Sequence, residues 1–114
     1  MWVFTKNGCF SIVTSENSPQ MLLIRSRYPG QIEAIFPNAH TTETPSDDYR
    51  YRTLIPRPVV AQRLLELVGE IDYGNFTDAI GDRRYHDICV EVSATLKKYQ
   101  DKPHEPHPSD AFMA

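Results

Sequence analysis

The chain holds little of what marks a specialised chemistry. Its two cysteines, Cys9 and Cys89, are far apart, form no CxxC pair and lie inside apolar periodic segments. They are expected to be reduced, packed thiols rather than a disulfide or a zinc site. No apolar run approaches the roughly 20 residues that span a bilayer. The N-terminal MWVFTKNGCF lacks the basic segment and apolar core of a secretory signal, which makes a cytoplasmic location the expectation. Positive charge is not in excess either, because twelve Lys and Arg against fifteen Asp and Glu leave a formal net charge of -3. Without a global positive field, non-specific attachment to nucleic acid or anionic membranes is disfavoured, and any recognition of an anion has to be local. There is no GxSxG elbow, P-loop, GxGxxG or HExxH, and no local pattern pairs a cysteine with a histidine. The chain leans away from being an enzyme, and no cofactor is expected.

What is present suits an ordinary globular domain. At 114 residues, 40% apolar and 24% charged, the chain can bury one modest core but not two. Residues 1–100 are read as a single domain. Residues 101–114 are read as a C-terminal tail, dense in Pro and without the periodicity that builds a core.

WVFT, KNG and CFSIVT read as strand, turn and strand, with Asn7-Gly8 offering the positive-φ residues of a tight hairpin. SENSPQ makes a second turn before MLLIRSR, so the first 27 residues form a three-strand antiparallel meander. Pro29 opens a short helix carrying Ile32, Ile35 and Phe36, and Pro37 stops it. NAHTTETPSDD is a polar loop. Tyr49 to Ile55 alternates as a fourth strand, and Pro56 and Pro58 lead into a helix through Ile71. The apolar stripe of that helix is Val60, Leu64, Leu67, Val68 and Ile71, with Arg63, Glu66 and Glu70 on the wetted side. Tyr73 and Phe76 bracket a corner, Asn75 and Asp78 form a capped turn, and Asp82 caps a last helix to about Tyr99. Its stripe of Tyr85, Ile88, Val92, Leu96 and Tyr99 is expected to pack on the core. Strands first and helices after predict an α+β two-layer sandwich, a four-stranded antiparallel sheet with two to three helices on one face.

The alternation DDYRYRTLIP raises the functional question. Residues two apart on a strand share a face, so Arg25 and Arg27 point one way and Arg50 and Arg52 likewise. Leu22, Ile24 and Ser26, and Tyr49, Tyr51, Thr53 and Ile55, then take the helix-covered side. The arginines belong to the open face, with Met21, Leu23 and Leu54 beside them. Such a mixture of guanidinium and apolar side chains suits a partner, and arginine makes forked pairs with carboxylate or phosphate. The plainer reading is equally open: solvated arginines paired with Glu16, Asp47 or Asp48 that contribute little beyond solubility.

Other clusters carry less. Arg83, Arg84 and His86 gather at the first turn of the last helix and are weaker candidates for holding an anion, since Asp82 is placed to occupy the same donors. His104, Glu105 and His107 could bind a transition metal weakly, yet neither they nor His40 show the paired spacing of a closed site, and no metal is expected. Glu43, Asp47 and Asp48 are more simply counter-ions for neighbouring arginines than an acid and base pair.

MWVFTKNGCFSIV, the Arg-x-Arg strand IRSR, DDYRYRTLIPR and IDYGNF together resemble a family of small, functionally uncharacterised bacterial proteins, over essentially the whole chain to about Gln100. The resemblance implies a compact standalone domain and carries over no catalytic residue. The tail after Gln100 lies outside the pattern.

The function expected from these residues is binding: a protein partner, or a second copy of the chain, held on the face of Arg25, Arg27, Arg50 and Arg52. Two alternatives stand beside it. A small-molecule anion site, in an enzyme or a binding protein, would need Arg52, Arg84 and His86 to converge on a pocket. RNA or single-stranded DNA binding is disfavoured by the net charge and by tyrosines that alternate away from the arginines.

Overall fold

The computed structural model describes residues 1–102; the Pro-rich tail, with His104, Glu105 and His107, lies outside the described residues. The class is the expected one, α+β with a single open antiparallel sheet, but the sheet has five strands rather than four. β1 (Trp2–Thr5), β2 (Gly8–Ser15) and β3 (Ser18–Ser26) form the meander. β4 (Thr42–Glu43) and β5 (Tyr51–Pro56) complete the order β1-β2-β3-β5-β4. β4 falls inside NAHTTETPSDD and is held by pairing with Arg52 and Tyr51. Two residues show no alternation, so only the register with β5 makes them a strand.

The first hairpin closes differently from the expectation. Thr5 pairs with Gly8, so Lys6 and Asn7 form the turn, and Asn7 keeps a negative φ. The Thr5 hydroxyl fastens it, accepting from the Asn7 N–H at 3.2 Å and donating to the Gly8 carbonyl at 2.9 Å. Gly8 is needed for another reason: at φ 156 a Cβ would stand 3.1 Å from the Gln31 side chain.

Alternation sends Phe10, Ile12, Leu22, Ile24 and Ile55 to one face, where they pack with Ile32, Ile35, Phe36 and Val60 into the main core. Burying each such side chain contributes about 1.5–3 kcal/mol. α1 (Gln31–Ile35) and α2 (Arg57–Gly69) supply the covering layer. α2 is rotated from the expected stripe. Val60 is buried and Leu64 and Leu67 partly so, while Val68 and Ile71 are exposed. Arg63, expected on the wetted side, turns inward and donates from Nε to the Ile35 carbonyl at 2.6 Å. A five-residue helix leaves its last carbonyls without intrahelical partners, and the guanidinium satisfies one of them.

The placement of helices on one face needs the larger correction. Cys9 alternates with Phe10 and so points away from the main core, and it is Cys9 that packs with Ile80, Tyr85, Cys89 and Phe76. α3 (Arg83–Asp101) is therefore fixed to the opposite side of the sheet, beside the first hairpin. The Asp82 carboxylate caps it as expected, accepting from the Tyr85 N–H at 2.8 Å. The Tyr85 hydroxyl donates to the Thr5 carbonyl at 2.7 Å. A 3-10 turn, Thr77–Ala79, precedes it, with the Asp78 N–H donating to Asn75 Oδ1 at 3.2 Å. The Tyr73 and Phe76 rings meet there at 6.3 Å between centroids. Only Tyr85 and Cys89 of α3 are buried; Ile88, Val92, Leu96 and Tyr99, expected on a core, are exposed. No helix among the described residues is long and apolar enough to cross a membrane.

Candidate interaction face

α3 stands over the Cys9 end of the second sheet face and the Tyr49 ring over Arg25 and Arg27, which leaves the part around Leu54 uncovered. The register aligns one residue from every strand across this face: Trp2, Ser11, Arg25, Arg52 and Thr42. Two residues along, Val13, Leu23 and Leu54 form a parallel apolar row, with Leu54 51% exposed. A band of guanidinium thus lies directly beside a band of aliphatic surface.

Tyr49 organises the band in a way its alternation hides. Strict alternation would put it with Tyr51 and Thr53 on the helix-covered side. It instead precedes the strand, in a bend, and its ring meets both Arg25 and Arg27, at 4.3 and 3.9 Å from the guanidinium carbons to the ring centroid. Those cation–π contacts leave Tyr49 only 8% exposed. The bend runs through Asp47 and Asp48 and is tied back by the Thr44 hydroxyl, which donates to the Tyr49 carbonyl at 3.3 Å.

Two of the arginines carry counter-ions. Arg27 pairs with Asp48 at 3.1 Å and Arg52 with Asp47 at 3.0 Å. Arg25 has no carboxylate among the described residues; it donates to the Ser11 hydroxyl at 3.1 Å. The Nε atoms of Arg25 and Arg52 are buried without a hydrogen-bond partner, a cost of about 1–3 kcal/mol for each donor left unmade. The two side chains are cross-strand neighbours of like charge, a pairing that is itself destabilising. Three guanidiniums on two carboxylates leave this face locally cationic although the chain is net acidic. Arg50 does not join them: it lies outside the strand, is exposed, and pairs with no carboxylate among the described residues.

Arg83, Arg84 and His86 do not assemble into an anion site. Arg83 and His86 both turn to Asp87, at 3.6 and 3.0 Å. The His86 contact, with Arg83 adding to it, holds the Asp87 carboxyl below its ordinary range. Arg84 lies 5.7 Å from the Tyr28 ring centroid, in the wall of a cleft of about 650 Å³ between α3 and the sheet. Trp2, Phe4, Ile88 and Val92 also line that cleft. Arg52 borders a separate depression, so Arg52, Arg84 and His86 do not converge. Sequence reading misses Trp2 and Phe4, although their shared parity on β1 is a signal that could have found them. Among the described residues no group of three or more His, Cys, Asp or Glu could hold a metal ion.

Beneath the cleft, Cys9 and Cys89 are free thiols. Burial raises both, and for Cys9 the nearby Cys89 adds to the rise while Arg27 opposes it. Burial likewise raises the Tyr85 hydroxyl, helped by its contact with Cys89.

Comparison of the chain with known protein families, with curated proteins and with solved structures finds no match in any of the three.

Proposed function

We propose that the chain is a non-catalytic binding module whose uncovered sheet face takes an acidic, partly apolar segment of a protein partner. The observation that supports this most is Arg25: a guanidinium oriented by Ser11 and Tyr49, beside Arg52, with no carboxylate of its own among the described residues. A partner carboxylate at the terminal nitrogens would supply the missing counter-charge in a forked pair. The Val13, Leu23 and Leu54 row would take a neighbouring aliphatic or aromatic side chain. That aliphatic row favours a polypeptide over RNA, because RNA-binding sheets offer rings for bases. Tyr49, the ring that packs on Arg25 and Arg27, is already occupied by them.

Trp2, the single tryptophan, lies on the same cross-strand row as Arg25 and Arg52. Its fluorescence can follow a titration with a peptide alternating Glu and Leu. Saturable binding that a Lys-for-Glu peptide does not reproduce is the expected result. Equal response to both peptides, or a preference for single-stranded RNA whose affinity collapses with salt, would remove this reading.

A further inference from the structure

The exposed half of α3 carries a separate inference. From Val90 to Asp101 no residue is buried, about 18 Å of helix at 1.5 Å per residue. The run is nonetheless amphipathic, since Ile88, Val92, Leu96 and Tyr99 recur at three- and four-residue intervals and share one stripe. Leu96 and Tyr99 are 64% and 71% exposed. The stripe continues onto the sheet, because Ile88 and Val92 line the same cleft as Trp2 and Phe4. A continuous apolar surface of this kind marks an interaction site.

The charges beside the stripe indicate what covers it. Glu91 and Lys98 stand two turns apart on one flank. Neither is paired among the described residues, whereas Lys97 is taken by Asp101 at 2.9 Å. Laid antiparallel about a two-fold axis, two α3 helices set Val92 opposite Leu96 and Ile88 opposite Tyr99. The same flanks then face each other, with Glu91 of each copy against Lys98 of the other. A parallel two-fold pair brings opposite flanks together, so Glu91 would not meet Lys98. We propose that α3 pairs antiparallel with α3 of a second copy, and that Tyr99 of that copy enters the cleft beside Trp2 and Phe4. The result is an isologous dimer, whose cleft adjoins the Arg25 face through Ser11, Arg27 and Tyr49.

Sedimentation velocity on the full chain, from micromolar to millimolar concentration, tests this. The wild type is expected to dimerise, and Leu96→Glu to raise the dissociation constant at least about a hundredfold, since each copy loses a buried leucine. Leu96 is exposed in the single chain, so the variant should keep the wild-type circular dichroism spectrum. Glu91→Lys and Lys98→Glu should each weaken the dimer roughly tenfold, and the double reversal should restore it. A full chain that stays monomeric overturns the proposal. A dimer that survives Leu96→Glu, or a double reversal that fails to recover, overturns it equally.

Discussion

The Tyr85 hydroxyl, on α3, donates to the carbonyl of Thr5, on β1, at 2.7 Å and across 80 positions of sequence. With Cys89 against Cys9 it is what fixes an otherwise exposed helix to the sheet. Tyr85→Phe keeps the ring and removes the donor. It is expected to cost about 1–2 kcal/mol in urea unfolding, and to raise amide exchange in α3 above that in β2 and β3. Unchanged stability and exchange would show that the apolar contacts alone hold the helix.

Raised thiol and phenol groups make stability depend on alkaline pH. In the unfolded chain the cysteines ionise from their ordinary value of 9.0, while in the folded chain they keep their protons. The native state therefore binds more protons across this range, and stability falls as pH rises. Their contribution is complete below pH 9.0 and is lost as pH climbs through the raised folded values. Urea midpoints at about pH 8 and about pH 10.5 should differ, and Cys9→Ala or Cys89→Ala should narrow the difference. A midpoint that rises with pH would contradict the assignment.

Arg63 ties the two helices of the covered face together. Its Nε donates to the Ile35 carbonyl at 2.6 Å, and Nη1 reaches Glu70 at 3.1 Å. Arg63→Ala should destabilise by about 1–3 kcal/mol, chiefly through the carbonyl left unpaired, and Glu70→Ala by well under about 1 kcal/mol as an exposed pair. Equal losses in chemical denaturation would reverse that ranking.

These contacts mark where sequence pattern is informative and where it stops. Alternation places Ile24 under the helices and Arg25 on the open side, because period two leaves only two choices per strand. The Asp82 cap is equally legible, since a short acidic side chain before a helix has few other partners. A helix stripe has no such constraint. The three-four spacing of Ile88, Val92, Leu96 and Tyr99 shows that they share a face, but not which surface covers it. Arg63 escapes because its partner is a backbone carbonyl on another helix. Tyr49 escapes because the bend at Asp47 and Asp48 sits too close to the strand for alternation to hold. Of the four arginines expected on one face, Arg25, Arg27 and Arg52 lie together on it, the first two against the Tyr49 ring, and Arg50 falls outside the strand that would have aligned it.

The binding proposal turns on Arg25 being different from Arg50, and the most direct measurement is the Trp2-monitored titration with the Glu and Leu peptide on single variants. Arg25→Ala is expected to lose at least about tenfold in affinity, with Arg25→Lys recovering only part of it because the fork is gone. Arg50→Ala, at an exposed position away from the Tyr49 ring, should stay within about twofold of wild type. Arg25→Ala binding as well as the wild type, while remaining folded by circular dichroism, would contradict the account.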